Sequence, residues 1–171
     1  MSFIIEHLFA HSGLPGTCTK NMIAVTKIFR FEAAHAIYGY QGTCAGVHGH
    51  SYELHVTVRS AANVLLDAPG FIIDFKELKA IVSEAIIGKL DHSLLLSRRY
   101  LEMHGETRAL NNIVVFEAEP SAENLILYIS KKLVAEFPQH ILLSGLKLFE
   151  TKDSYAEWKN EYTGNKFSCS L

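Results

Sequence analysis

Between His48 and Arg59 the chain changes character at every residue. His48, His50, Tyr52, Leu54, Val56 and Val58 take one parity, and Ser51, Glu53, His55, Thr57 and Arg59 take the other. Side chains of an extended strand point alternately to its two faces, so this stretch reads as a half-buried strand. The segment from Val25 to His35 alternates in the same way, with Phe29, Phe31, Ala33 and His35 opposed to Thr26, Arg30 and Glu32. A loop containing Gly39, Gly42 and Gly46 separates the two. Paired antiparallel, the strands carry His35, His48 and His50 to one end of one apolar face.

The rest of the chain adds helices and a second strand pair. Asp74-x-x-Glu77 has capping-box spacing. Leu78, Ile81, Val82, Ala85 and Ile86 then form an apolar stripe, and Gly88 is the expected stop. Leu90-Asp91-His92 follows at once. Residues 93–119 read as a long, mixed connection in which Ile113 to Phe116 could form a short strand. Pro120-Ser121 opens a second helix, with Leu125, Ile126, Ile129 and Leu133 at helical spacing and Pro138 ending it. Ile141 to Glu150 and Ser154 to Tyr162 form a final hairpin turning through Thr151, Lys152 and Asp153. The order strand, strand, helix, helix, strand, strand predicts an α+β fold, an antiparallel four-stranded sheet with two helices on one face.

Composition narrows the function classes. With 171 residues and 49% apolar content the chain can bury a sizeable core as one domain. A formal charge of -2 gives no electrostatic reason to expect nucleic acid or an anionic membrane as partner. No apolar run is long enough to span a bilayer. Cys18, Cys44 and Cys169 are odd in number and far apart, which fits no disulfide framework and points to a reducing, cytoplasmic setting. Residues 1–21 have no basic n-region or clean apolar core and read as a loosely ordered extension, not a signal peptide. Residues 22–171 form the single domain, with Met22 as a second candidate start.

The chemistry concentrates in Cys44-Ala-Gly-Val-His48-Gly-His50 and His35. Three imidazoles on matching strand faces form a facial nitrogen set that leaves a fourth position on a bound metal, the pattern of a catalytic zinc site. An isolated H-x-H is weak evidence; the third, parity-matched histidine makes the pattern far narrower. A metallo-β-lactamase site needs Asp and His directly after the pair, where Ser51-Tyr52-Glu53 stands. An amidohydrolase barrel needs a longer chain, and a cupin needs an all-β one. Cys44 is either a small turn residue or, beside a cation in an accessible loop, a reactive thiol. Asp91-His92 is either a helix-end pair or a carboxylate-polarised general acid/base. Glu150, on an apolar strand face with Leu146 and Leu148, is costly to bury without hydrogen-bond donors. A structural partner or a ligand's N–H groups would supply them.

Taken together, the chain resembles the 6-pyruvoyltetrahydropterin synthase / 6-carboxytetrahydropterin synthase family. The matching segments are Phe31-Glu-Ala-Ala-His35, Cys44-x-x-x-His48-Gly-His50, Ile73-Asp74-Phe75, Leu90-Asp91-His92, Pro120-Ser121-Ala122-Glu123-Asn124 and Glu150-Thr151-x-x-Ser154-Tyr155-Ala156-Glu157. They occur in family order over about residues 25 to 160.

The resemblance implies the tunnelling fold (T-fold), whose subunits join sheets into an oligomeric barrel, as a homotrimer or homohexamer. It implies zinc (Zn2+) on His35, His48 and His50, and Cys44 as the proton-abstracting thiolate. Asp91 and His92 would form the proton relay and Glu150 would bind the 2-amino/N3 edge of the pterin, with Ser121 and Glu123 close to it. Ser121 stands where Thr is common. The implied substrate is 7,8-dihydroneopterin triphosphate. The C-x-x-x-H-x-H spacing is that of bacterial 6-carboxy enzymes of queuosine-precursor synthesis, which release acetaldehyde and triphosphate. The rivals are 6-pyruvoyl formation, an aldolase-like pterin reaction, and a non-catalytic zinc-binding assembly module. The 93–119 connection and residues 1–21 depart from the family pattern.

Overall fold

The computed structural model describes residues 23–61 and 70–160. The expected extension at residues 1–21, Cys18, Cys169 and the end of the last strand at Tyr162 lie outside them.

Two long strands, β1 (Ala24–His35) and β2 (His48–Ser60), pair antiparallel from Ala24↔Arg59 to His35↔His48. Their burial alternates as their sequence does: Phe29, Phe31, Ala33, Tyr52, Leu54, Val56 and Val58 are buried while the intervening residues are not. Helix α1 (Phe75–Val82) starts at Asp74, whose carboxylate accepts from the Lys76 N–H at 2.7 Å. It runs through a π-helical stretch (Ser83–Ile87) into a last turn, α2 (Gly88–Leu90). There follow β3 (Ser93–Ser97), the short α3 (Arg98–Met103), β4 (Ile113–Phe116), α4 (Ala122–Glu136), β5 (Ile141–Phe149) and β6 (Tyr155–Lys159).

All six strands join one sheet in the order β4-β3-β1-β2-β5-β6. The expected antiparallel set, β1, β2, β5 and β6, is present with its pairings. The expectation of only four strands is corrected, because β3 runs parallel to β1 and β4 parallel to β3. Ser93-Leu-Leu-Leu-Ser97 is apolar without alternation, as a strand covered on both faces is: Leu95, Leu96 and Ser97 are fully buried. The helices cover the inner face of the sheet. Leu78, Val82, Ile86, Leu125, Ile129 and Leu133 pack there against the apolar side of β1, β2 and β5.

Gly88 is not the helix stop. It is itself helical, and its N–H reaches back to the Ser83 carbonyl, five residues earlier, closing the π turn. A Cβ at Gly88 would sit 3.3 Å from that oxygen, which is why glycine fits there. The helix ends at Asp91, whose N–H still bonds the Ile87 carbonyl at 2.9 Å.

Candidate metal centre and active site

The strand register builds the centre. His35 lies opposite His48, and Ala33 lies opposite His50. One ligand atom from each of the three imidazoles falls within 4.8 Å of the others. His35 is 3% exposed, and its Nδ1 lies 2.7 Å from the Pro120 carbonyl oxygen. His48 Nδ1 lies 2.9 Å from the Gly46 carbonyl oxygen. A carbonyl only accepts, so each Nδ1 carries the ring proton and donates, leaving each Nε2 with a free lone pair. Those two Nε2 atoms face each other at 3.0 Å. His50 Nε2 is buried and has no hydrogen-bond partner among the described residues. Two inward lone pairs fixed by backbone carbonyls behind the rings, with the unpartnered His50 Nε2 as the third nitrogen, form a donor set that fits a divalent cation. Burial holds the His35 pKa below its ordinary value, against the opposing pull of Pro120 and Glu150, which keeps the ring in its ligating, neutral form.

Glu150 stands beside this set. Its Oε1 lies 3.7 Å from His35 Nε2 and accepts from the Tyr52 hydroxyl at 3.4 Å. The carboxylate sits at the β5–β6 turn on the inner parity, next after Leu146 and Leu148, and its side chain is 25% exposed. Burial, and then the Glu150 charge, push the Tyr52 phenol far above its usual range, so Tyr52 stays a donor. Glu150 also lines a cavity of about 490 Å³ with Ala122, Glu123, Ile126, Ser154 and Trp158. Glu123 thus shares a cavity with Glu150. Ser121 caps α4 through its hydroxyl, which accepts from the Asn124 N–H at 3.5 Å, and it bonds the Glu123 carboxylate, holding that group below its usual range.

Cys44 lies in a 3-10 turn (Thr43–Ala45) of the loop between β1 and β2, partly exposed, and its carbonyl accepts from the Ile37 N–H at 3.1 Å. Its sulfur is not part of the three-nitrogen cluster.

Asp91 and His92 are arranged differently. The Glu32 N–H donates to Asp91 Oδ1 at 2.9 Å, and the Glu32 carbonyl accepts from the His92 N–H at 2.6 Å. His92 Nδ1 meets Asp91 Oδ1 at 3.0 Å. His92 lies just before the ladder that pairs Ala33 with Ser93, and it borders a surface cavity with Glu32, Ala34, Gly49 and Ser51, whose parity is that of the sheet face turned away from the helices. The His92 side chain is 76% exposed. Its backbone is left-handed at φ 56, a conformation that disfavours a side chain with a Cβ. The Glu32 amide, followed by desolvation acting the other way and then His92, sets the Asp91 carboxyl below its ordinary value.

The sequence pattern of the family described as 6-pyruvoyl tetrahydropterin synthase matches residues 24–161. This chain belongs to that family. The 6-carboxy-5,6,7,8-tetrahydropterin synthase of Rickettsia felis is 32% identical over 140 residues, covering 80% of this chain and 99% of that protein. The protein of the same name from Haemophilus influenzae is 27% identical over 142 residues, covering 81% and 99%. The solved Caenorhabditis elegans 6-pyruvoyl tetrahydropterin synthase shares the fold, with a TM-score of 0.61 at 20% identity, covering 82% of this chain and 96% of that one.

In this member of the 6-pyruvoyl tetrahydropterin synthase family, the site contains groups that the sequence reading passed over. Tyr52 is the main one, and its signal was available: it follows His50 by two residues on the same strand face. The carbonyls of Gly46 and Pro120 behind the imidazoles carry no side-chain signal at all.

Proposed function

We propose that this chain is a 6-carboxytetrahydropterin synthase, a zinc-dependent lyase. Its reaction takes 7,8-dihydroneopterin triphosphate and water to 6-carboxytetrahydropterin, acetaldehyde and triphosphate. The observation that carries this reading is the convergence of three imidazole nitrogens beside the Glu150 carboxylate, in a chain whose relatives bear that name. Cys44-x-x-x-His48 spacing favours the 6-carboxy product.

His35, His48 and His50 hold the zinc, which supplies Lewis acidity to the substrate's side-chain hydroxyls and the C–H bonds beside them. Glu150 accepts the 2-amino and N3 hydrogens of the pterin, with Tyr52 donating to the same carboxylate and fixing its rotamer. Glu123 and Ser121 border the ring. Cys44, as thiolate, removes the side-chain proton. Asp91 holds His92 through Nδ1, leaving Nε2 to carry protons to and from the substrate.

His92 on the outward face serves the site of a neighbouring subunit, so the working unit is an oligomer, a homotrimer or a pair of trimers whose sheets close into a T-fold barrel. The described residues contain no helix long and apolar enough to cross a membrane. The odd number and wide spacing of the cysteines support a cytoplasmic enzyme.

The test is incubation of zinc-loaded protein with 7,8-dihydroneopterin triphosphate and identification of products by mass spectrometry. The expected products are the 6-carboxy pterin and acetaldehyde. A 6-pyruvoyl product would move the chain to the reaction named in its structural relatives, and no pterin turnover would sink both readings.

A further inference from the structure

Within the two residues Glu119 and Pro120, three parts of the molecule are tied together. The Pro120 carbonyl accepts from the ligand His35 at 2.7 Å. The Glu119 carbonyl accepts from the Asn124 side chain at 2.9 Å and from the Ser121 N–H at 2.8 Å, fixing the start of α4. The Glu119 carboxylate reaches across to the loop that leaves β1, where Oε2 accepts from the Tyr38 N–H at 2.8 Å. Proline disfavours helical backbone in the residue before it, which helps to keep Glu119 extended toward that loop.

That loop carries Cys44. Leaving His35, the chain is held first at Ala36, fully buried against Leu96, Tyr100 and Leu101 in a small apolar cluster apart from the main core. It is held next at Ile37, whose N–H bonds the Cys44 carbonyl at 3.1 Å, and then at Tyr38 by Glu119. The Arg99 guanidinium covers the Tyr38 ring at 4.9 Å from its centroid. The Tyr38 bond is the one hydrogen bond in this series made by a carboxylate, and a charge-assisted bond to an amide is stronger than a neutral one.

We infer that Glu119 is a positioning residue: its carboxylate sets the Cys44 loop relative to the His35 strand, so that the thiol and the metal ligands share one frame. The inference rests on the reading of Cys44 as the proton-abstracting group. An ordinary loop tie would contribute to folding without bearing on Cys44 itself.

The test uses the full-length, zinc-loaded protein and the variants Glu119→Gln and Glu119→Ala. Bound zinc is measured by elemental analysis, and iodoacetamide labelling of Cys44 is followed on its own peptide by mass spectrometry. The constants kcat and KM are measured with 7,8-dihydroneopterin triphosphate. The expected result is zinc retained, KM within about twofold, and kcat lower by about tenfold in Glu119→Gln and about a hundredfold in Glu119→Ala, the range seen for partners that orient metal-site groups. Cys44 labelling should quicken in the same order, because the loop is released. Labelling within about twofold of wild type in Glu119→Ala would overturn the inference. So would zinc lost in step with kcat, since the effect would then run through Pro120 and His35. Absence of pterin turnover in the wild type would remove the lyase reading, while the labelling comparison would still decide on Glu119.

Discussion

The two sheet faces hold the two halves of the proposed chemistry in opposite ways. On the inner face, His35, His48, His50 and Glu150 are brought together by strand register, lie within a few ångströms of one another and are fixed from behind by carbonyls and a phenol. On the outer face, Asp91 and His92 are exposed, held by main-chain bonds to Glu32, and His92 sits in a left-handed backbone conformation. One half is complete within a chain, preorganised by burial. The other presents a polarised imidazole to whatever docks on it, and its strain is offset by the Glu32 bonds and by Asp91. On the proposed reading, that outward imidazole serves the metal site of a neighbouring subunit.

Substitutions on the two faces should therefore fail differently. The largest effect is expected from His48→Ala, which removes an inner-face ligand: bound zinc falls far below one per chain by elemental analysis, and turnover disappears with it. Cys44→Ala should cost about a thousandfold or more in kcat while zinc stays bound, a loss on the scale of a missing general base. A variant whose biological activity stays intact would instead favour the non-catalytic assembly module.

His92→Ala should lower kcat by about a hundredfold. It also gives the sharpest test of the comparison between faces. Unfolding and refolding Cys44→Ala together with His92→Ala in equal amounts should restore about one quarter of wild-type activity, because random assembly gives that fraction of sites an intact group from each chain. No restoration would place both groups of each site on the same chain.

The smallest effect belongs to Asp91→Asn, about tenfold in kcat. Its stability signature has a definite sign. The carboxyl is held below its ordinary value, so its ionised form stabilises the fold at neutral pH, and that contribution is lost as pH falls from the unfolded value through the lower folded one. Urea melts of wild type and Asp91→Asn should converge below about pH 4, the ordinary aspartate range.

Alternation made most of the inner face legible from the sequence. Period two in β1 and β2 placed His35, His48 and His50 on one side, and the same parity put Glu150 beside Leu148, as found. β3 was not legible, because Leu94, Leu95 and Leu96 form a run without period and such a run does not distinguish a covered strand from a helix turn. Gly88 misled for a local reason: a glycine that admits a π turn looks in sequence like one that ends a helix. Which face Asp91 and His92 occupy depends on β3 pairing parallel to β1, a long-range choice that no local pattern encodes. Glu119 was invisible for a related reason, since its partner is the amide of Tyr38, 81 residues away.

The π-helical stretch acts on the phase of all that follows it. An α-helix turns through about 100° per residue, and one extra residue in a turn resets the angle at which the remaining chain leaves. Between Ser83 and Gly88 that reset lets α2 end with Asp91 against the Glu32 amide and turns His92 outward. Removing one residue there would leave a more regular helix whose exit points elsewhere, improving the local structure while misdirecting the side chains that follow. The irregular turn is an angular adjustment between the core and the outward face that carries Asp91 and His92.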